Sequence, residues 1–280
     1  MDPLVSVDWL FKQLNNPNLV ILDVSLKTNV ANIKIKYPNT QLKGARYFDL
    51  KNKFSNVDNQ LPNTLPSPET FQNECRKLGI NNDSLVVAYD NIGVYASPRV
   101  WWMFKMMGHK NIMILNGGLP LWLKKNYPVE PLQQHPLAIG DFLVKYNPKL
   151  QKSASQILEN ILKKESVVVD ARSKKRFNGQ IPETRKNLKS GHIPDSVNLP
   201  FLEVLDRGKF LPKEKIKAIF SKLELLNKPI IYTCGSGLTA CILILAAELI
   251  SEKTNYLYDG YWAEWGGLKG VPIHTLIEKD

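Results

Sequence analysis

The sequence is poor in cysteine and lacks any long apolar run. Three cysteines stand among 280 residues, an odd count with no Cys-x-x-Cys pair. That excludes a disulfide framework and speaks against a zinc site. The longest apolar stretch, Cys241-Ile-Leu-Ile-Leu-Ala-Ala, ends after about seven residues, where about 20 are needed to cross a bilayer. The amino-terminal Met-Asp-Pro-Leu-Val-Ser-Val-Asp-Trp-Leu has neither a basic leader nor an apolar core, so no signal peptide is expected. A run of five basic residues is also missing, although 37 Lys and Arg against 26 Asp and Glu leave a formal charge of +11. Pairs such as Lys163-Lys164 and Lys174-Lys175 are scattered along the chain, which suits a solvated surface rather than a nucleic-acid arm. An apolar share of 44% and a charged share of 22% exclude intrinsic disorder. The expectation is a soluble chain in a reducing, cytoplasmic compartment, with no nucleic-acid or membrane partner, no metal and no cofactor.

What the sequence does hold is an alternation of short apolar runs with amphipathic stretches. Leu19–Leu22, Ser84–Tyr89, Ile112–Leu115, Val167–Val169, Pro229–Tyr232 and Tyr256–Tyr258 each end at a turn former or polar residue. Such runs read as buried parallel strands. Pro68–Leu78 and Lys213–Leu223 have helical spacing, so the expected class is α/β, a mostly parallel sheet flanked by helices.

The pattern occurs twice. Val86–Ala96 lies over Ile230–Ala240 without a gap at an offset of 144, while Asp23 over Asp170 gives 147 and Asn116-Gly117 over Asp259-Gly260 gives 143. A drift of this size is what loop insertions produce, so the chain is read as a tandem duplication. The join falls in the aperiodic stretch between Glu130 and Pro148. This gives an N-terminal, non-catalytic domain over 1–135, a linker over 136–149 and a C-terminal, catalytic domain over 150–280.

The two copies differ most usefully at one aligned position, Asp90 in the first and Cys234 in the second. Cys234 follows a buried run and opens Cys-Gly-Ser-Gly-Leu-Thr, ahead of a helix expected from near Leu238 through Ala247. Gly235 and Gly237 let the backbone curl so that N–H groups turn inward, and a thiolate there is stabilised by those groups and the helix dipole. Cys234 is therefore the candidate nucleophile. Cys241 reads as core, and Cys75 has no assigned role. A cysteine phosphatase requires an arginine six positions after the cysteine; here that position is Ala240. Sulfur transfer through a persulfide fits the shorter loop.

These residues carry a family resemblance. With Asp170-Ala171-Arg172, Ser190-Gly191-His192-Ile193-Pro194, Tyr258–Gly266 and Ser97–Phe104, the chain resembles the two-domain rhodanese-like sulfurtransferases over nearly its whole length. In that family a Gly-Ser-Gly loop implies the branch using 3-mercaptopyruvate, whereas basic residues after the cysteine imply the thiosulfate branch. The resemblance implies substrate binding by Arg176 and Arg185, whose planar guanidinium groups suit the carboxylate and carbonyl of a 2-oxo acid. Ser236 and Thr239 are expected to assist Cys234 in catalysis, and Gly235, Gly237 and Leu238 to line the donor. Arg172 and His192 read as structural. The family's first domain usually offers a histidine to a relay with the loop serine; Gln41 stands there, so no such relay is expected. The acceptor is expected to be a thiol such as thioredoxin or a small thiol, or cyanide. Thiosulfate as donor, or a non-catalytic sulfur-relay module, are the competing readings.

Overall fold

The computed structural model describes residues 2–29, 31–251 and 253–276. The chain divides into two compact units. The first comprises the residues up to Asp58, Leu65–Asn147 and Asp206–Phe210. The second comprises Asn59–Thr64, Pro148–Leu205 and the residues from Leu211 onward. Each unit therefore includes one short segment drawn from the other half of the sequence.

In the first unit the order is β1 (Leu4–Val5), α1 (Val7–Gln13), β2 (Leu19–Asp23), β3 (Thr40–Leu42), β4 (Arg46–Tyr47), α2 (Pro68–Lys77), β5 (Leu85–Tyr89), α3 (Ser97–Met106), β6 (Ile112–Leu115), α4 (Gly118–Lys124) and β7 (Val129–Pro131). A five-stranded sheet runs β1-β6-β5-β2-β4, with every pair parallel. Its central strand β5 is buried from Val86 to Tyr89, as a Val- and Ala-rich run covered on both faces must be. Local chemistry starts the helices. Ser67 accepts from the Thr70 N–H ahead of Pro68, and Ser6 accepts from the Trp9 N–H, satisfying donors that have no intrahelical acceptor.

The strands β3 and β7 form a separate antiparallel pair that sets Gln41 opposite Glu130. The Glu130 carboxylate accepts from Gln41 Nε2 (2.9 Å), from the Gly44 N–H (2.9 Å) and from the His135 ring (2.7 Å). Burial opposes its charge, but bonds from His135, Gln41, Gly44 and Gln133 outweigh that and hold the carboxyl down to about 2, below its ordinary 4.5. A folded value below the unfolded one means this stabilisation is complete above pH 4.5 and fades as pH falls toward 2. Glu130→Gln is expected to lower stability at pH 7 by about 1–3 kcal/mol. The gap to the parent should narrow on acidification below pH 4.5, as urea unfolding at several pH values would measure.

The second unit repeats the plan. Its elements are β8 (Gln151–Lys152), α5 (Ala154–Lys163), β9 (Val167–Asp170), α6 (Lys174–Phe177), β10 (Val197–Asn198), the pair β11 (Leu205–Asp206) and β12 (Lys209–Phe210), then α7 (Lys213–Lys222), β13 (Ile230–Thr233), α8 (Thr239–Glu248), β14 (Asn255–Tyr258) and α9 (Tyr261–Trp265). Of the pair β11–β12, only Leu205 belongs to the second unit, and Asp206–Phe210 belongs to the first. The sheet order β8-β14-β13-β9-β10 is that of the first unit strand for strand, again parallel throughout. All six runs expected as strands fall on β2, β5, β6, β9, β13 and β14. The helix α8 is buried from Thr239 to Ala247, because a helix apolar on every face has no side for water. Each of its buried Leu and Ile side chains contributes about 1.5–3 kcal/mol, which anchors the helix end beside Cys234.

Among the described residues, no helix is long and apolar enough to cross a membrane.

Candidate active site

Asp90 and Cys234 follow the same central strand in their respective units, β5 and β13. They meet opposite situations. The Asp90 carboxylate accepts from the N–H groups of Tyr95 (3.0 Å), Ala96 (2.8 Å) and Ser97 (2.9 Å), and from the Ser97 hydroxyl (2.5 Å). Burial pushes this carboxyl up to about 6 against the pull of those four donors. The anion-binding end of α3 is thus filled from within the chain. In the second unit the residue at that place is a thiol, and it receives one backbone donor, the Gly237 N–H at 3.1 Å from Sγ.

Cys234 is 1% exposed and its carbonyl accepts from the Trp262 N–H (2.9 Å), which ties the loop to the start of α9. Gly237 has φ +89°, a left-handed conformation that glycine adopts without strain. A Cβ there would collide with the ring of Tyr261. The Tyr261 hydroxyl donates to Asp259, and both side chains are buried. At Gly235 the neighbour is different: a Cβ would lie 2.7 Å from Nη2 of Arg176. Leu238 caps α8 and is buried, and Thr239 is the first residue of that helix. Ser236 is half-buried, and its carbonyl accepts from Asn63 Nδ2 (2.8 Å).

The two substrate arginines expected from the sequence differ in how they are held. Arg176 on α6 is paired with Glu183, Nη2 to Oε2 at 2.5 Å. Glu183 also accepts from Arg172 Nη1 (2.8 Å). Arg172 in turn is paired with Asp170 (2.6 Å), donates to the Gly191 carbonyl (2.8 Å) and lies over the Trp262 ring at 4.2 Å. Its side chain is 1% exposed. Arg172 thus joins Asp170, Glu183 and the Gly191 carbonyl in one buried network, which suits the structural role read from the sequence. Arg185 is exposed; desolvation, and after it the neighbouring Arg176, pull its guanidinium below its ordinary value. Of the two arginines, Arg176 is the one that stands against the Cys234 loop, at Gly235.

Of the other residues weighed from sequence, His192 bonds the Phe177 carbonyl (2.8 Å) and stacks on that ring at 3.8 Å, a packing role. Gln41 is 1% exposed and donates to Ala45 O, Glu130 and Gln133 O within the first unit. Burial pushes the Cys75 thiol well up, so it stays protonated as part of the core. Sequence reasoning missed Glu183, Tyr261 and Asn63 as neighbours of the loop. Glu183 sits two residues before Arg185, and Tyr261 lies inside the Tyr258–Gly266 motif; nothing local marks Asn63.

The second unit thus sets a cysteine in a glycine loop at the start of a helix, with the Arg176 guanidinium beside that loop. The chain matches the Rhodanese-like domain family over residues 6–125 and again over 153–268, and it belongs to that family. It is 33% identical to a 3-mercaptopyruvate sulfurtransferase of Escherichia coli, with 97% of this chain and 98% of that protein aligned. It is 37% identical to a thiosulfate sulfurtransferase of Mus musculus, over 99% and 95% of the two chains. The crystal structure of a 3-mercaptopyruvate sulfotransferase from Escherichia coli matches with a TM-score of 0.82 at 32% identity, covering 94% of this chain and 99% of that one.

Proposed function

We propose that this sulfurtransferase moves sulfur from 3-mercaptopyruvate through a persulfide on Cys234. The Cys234 thiolate attacks the donor sulfur, an S–S bond forms, and the C–S bond breaks with its electron pair passing to carbon. Pyruvate leaves as its enolate and takes a proton from water. Arg176 and Arg185 bind the carboxylate and carbonyl and stabilise the charge that develops on the enolate oxygen. Gly235, Gly237 and Leu238 line the donor, the Ser236 hydroxyl donates to the reacting sulfur or carbonyl, and Thr239 steadies the loop from the helix side. An acceptor thiolate, from thioredoxin or a small thiol, then attacks the outer sulfur and releases Cys234; cyanide serves equally and leaves as thiocyanate. Cys75, Cys234 and Cys241 form no disulfide among the described residues, which suits the reducing cytoplasm we assign to it.

Overall identity does not separate the donors, since the relatives named above include both kinds. The observation that carries the choice is local. Arg176 Nη2 stands 2.7 Å from where a side chain at Gly235 would begin, so the guanidinium occupies the space that a basic loop residue would need. A second cation there would also repel the first. A fixed arginine beside a bare loop suits a monocarboxylate better than a compact dianion.

Activity with 3-mercaptopyruvate and a reduced thiol, set beside thiosulfate with cyanide, tests the assignment. A kcat/KM clearly favouring thiosulfate would overturn it in favour of the thiosulfate reading. Arg185→Ala and Arg176→Ala are each expected to raise KM for the oxo acid about 10-fold or more. An unchanged KM in both variants would remove their carboxylate role.

A further inference from the structure

The peptide between Ser236 and Gly237 is held from both ends. Its N–H, on Gly237, donates to Cys234 Sγ at 3.1 Å. Its carbonyl, on Ser236, accepts from Asn63 Nδ2 at 2.8 Å. In a trans peptide these two groups point in opposite directions, so Asn63, the peptide and the sulfur form one hydrogen-bonded line.

That line answers a problem built into the loop. With glycine on both sides of Ser236, rotation of the 236–237 peptide meets little steric resistance. Half a turn would aim the carbonyl at Cys234 instead of the N–H, and a carbonyl dipole repels a thiolate or persulfide anion. Tyr261 confines the Gly237 Cα but touches neither polar end of the peptide by that contact. Asn63 fixes the polar end directly, and by drawing on the carbonyl it also strengthens the N–H as a donor. Its own backbone sits at φ +53°, a left-handed turn that asparagine tolerates better than most residues.

The internal duplication supplies a second observation. The segment Asn59–Thr64 belongs to the second unit although it comes from the first half of the sequence, and Asp206–Phe210 belongs to the first unit. In the first unit Gly208 O accepts from the Val94 N–H at 2.8 Å, and Gly208 packs against Gly93. Gly93 is the aligned counterpart of Gly237, with φ +101° against +89°. At the same place in both units, then, a borrowed segment pins the loop after the central strand.

We propose that Asn63 is a positioning residue for sulfur transfer: its amide sets the 236–237 peptide so that the Gly237 N–H faces the Cys234 sulfur. This rests on Cys234 being the nucleophile. The segment Asn59–Thr64 is thereby part of the reactive loop's support, and its side-chain donor tunes how readily the sulfur carries negative charge.

The test uses the full chain with Asn63→Gly, which keeps the left-handed turn and removes the amide, and Asn63→Asp, which keeps the shape and replaces the donor by an acceptor. Two readouts are followed against pH: kcat and KM with 3-mercaptopyruvate, and the rate of Cys234 alkylation by iodoacetamide with no donor present. Asn63→Gly is expected to lower kcat about 5- to 10-fold with KM within about twofold. The midpoint of its alkylation profile is expected to rise by about half a pH unit, and Asn63→Asp is expected to exceed it in both respects. Alkylation profiles of both variants that superimpose on the parent's would overturn the proposal. A shifted alkylation profile in a protein that prefers thiosulfate leaves the role of Asn63 standing and overturns only the donor assignment.

Discussion

Cys234→Ser loses turnover by at least about 1,000-fold with either donor. A serine hydroxyl is far harder to deprotonate than a thiol at neutral pH, and oxygen cannot replace the sulfur–sulfur bond that stores the transferred atom. The thiol has one backbone donor, Gly237, and sits in a loop fixed independently by the Trp262 N–H. The substitution therefore leaves folding within about 1 kcal/mol of the parent. Mass spectrometry gives the direct reading. Incubation with 3-mercaptopyruvate alone adds about 32 Da, one sulfur atom, to the parent. Cyanide removes it, and the variant gains nothing. Sulfur found instead on Cys241, whose thiol donates to Gly237 O at 3.7 Å, would move the nucleophile from the loop into α8 and end the assignment.

Gly237→Ala destroys activity by a different route, and stability falls with it. Two costs combine. The backbone at φ +89° is unfavourable for any residue with a Cβ, and the new methyl enters the ring of Tyr261. Tyr261 cannot withdraw: it is fully buried, its hydroxyl is engaged by Asp259, and its own backbone is left-handed at φ +54°. The expected destabilisation is about 2–4 kcal/mol, with kcat/KM down at least about 100-fold because the loop N–H leaves the sulfur. Denaturant unfolding and steady-state kinetics check both. In combination with Tyr261→Ser the loss should be smaller than the sum of the single losses, since the serine removes the ring that the methyl strikes. Strict additivity would mean that the collision is not the cause.

The Asp90 arrangement leaves the first unit with a carboxylate at the place that the Cys234 thiol takes in the second. The donors at the start of α3 that could serve an anion from outside are taken by a carboxylate of the chain itself. The alignment alone placed Asp90 opposite Cys234. It did not show that four hydrogen bonds consume the site, because that depends on how the chain turns between Asn91 and Ala96.

Much of this protein is written locally. Strands such as Val86–Tyr89 and Ile230–Thr233 are legible because a parallel strand buried on both faces must be apolar along its whole length. The duplication is legible because two equal sheets need equal runs at equal spacing. Cys234, its glycines and the helix that follows are legible because anion binding at a helix start requires them within a few positions. Arg176 and Arg185 are picked out by the family resemblance, and a planar guanidinium suits the carboxylate of the expected donor.

The tertiary structure alone decided which distant groups complete the site. Glu183 links Arg172 and Arg176 into one buried ion chain. Tyr261 closes the space over Gly237. Asn63 reaches Ser236 across 173 residues of sequence. Periodicity and short motifs record what a segment needs from its immediate neighbours. They carry no trace of where the loop that holds Asn63 will come to rest, because that is fixed by the path of the whole chain. The amino-acid sequence therefore determined the candidate cysteine and its glycine loop, and the folded chain determined which distant side chain bonds the 236–237 peptide.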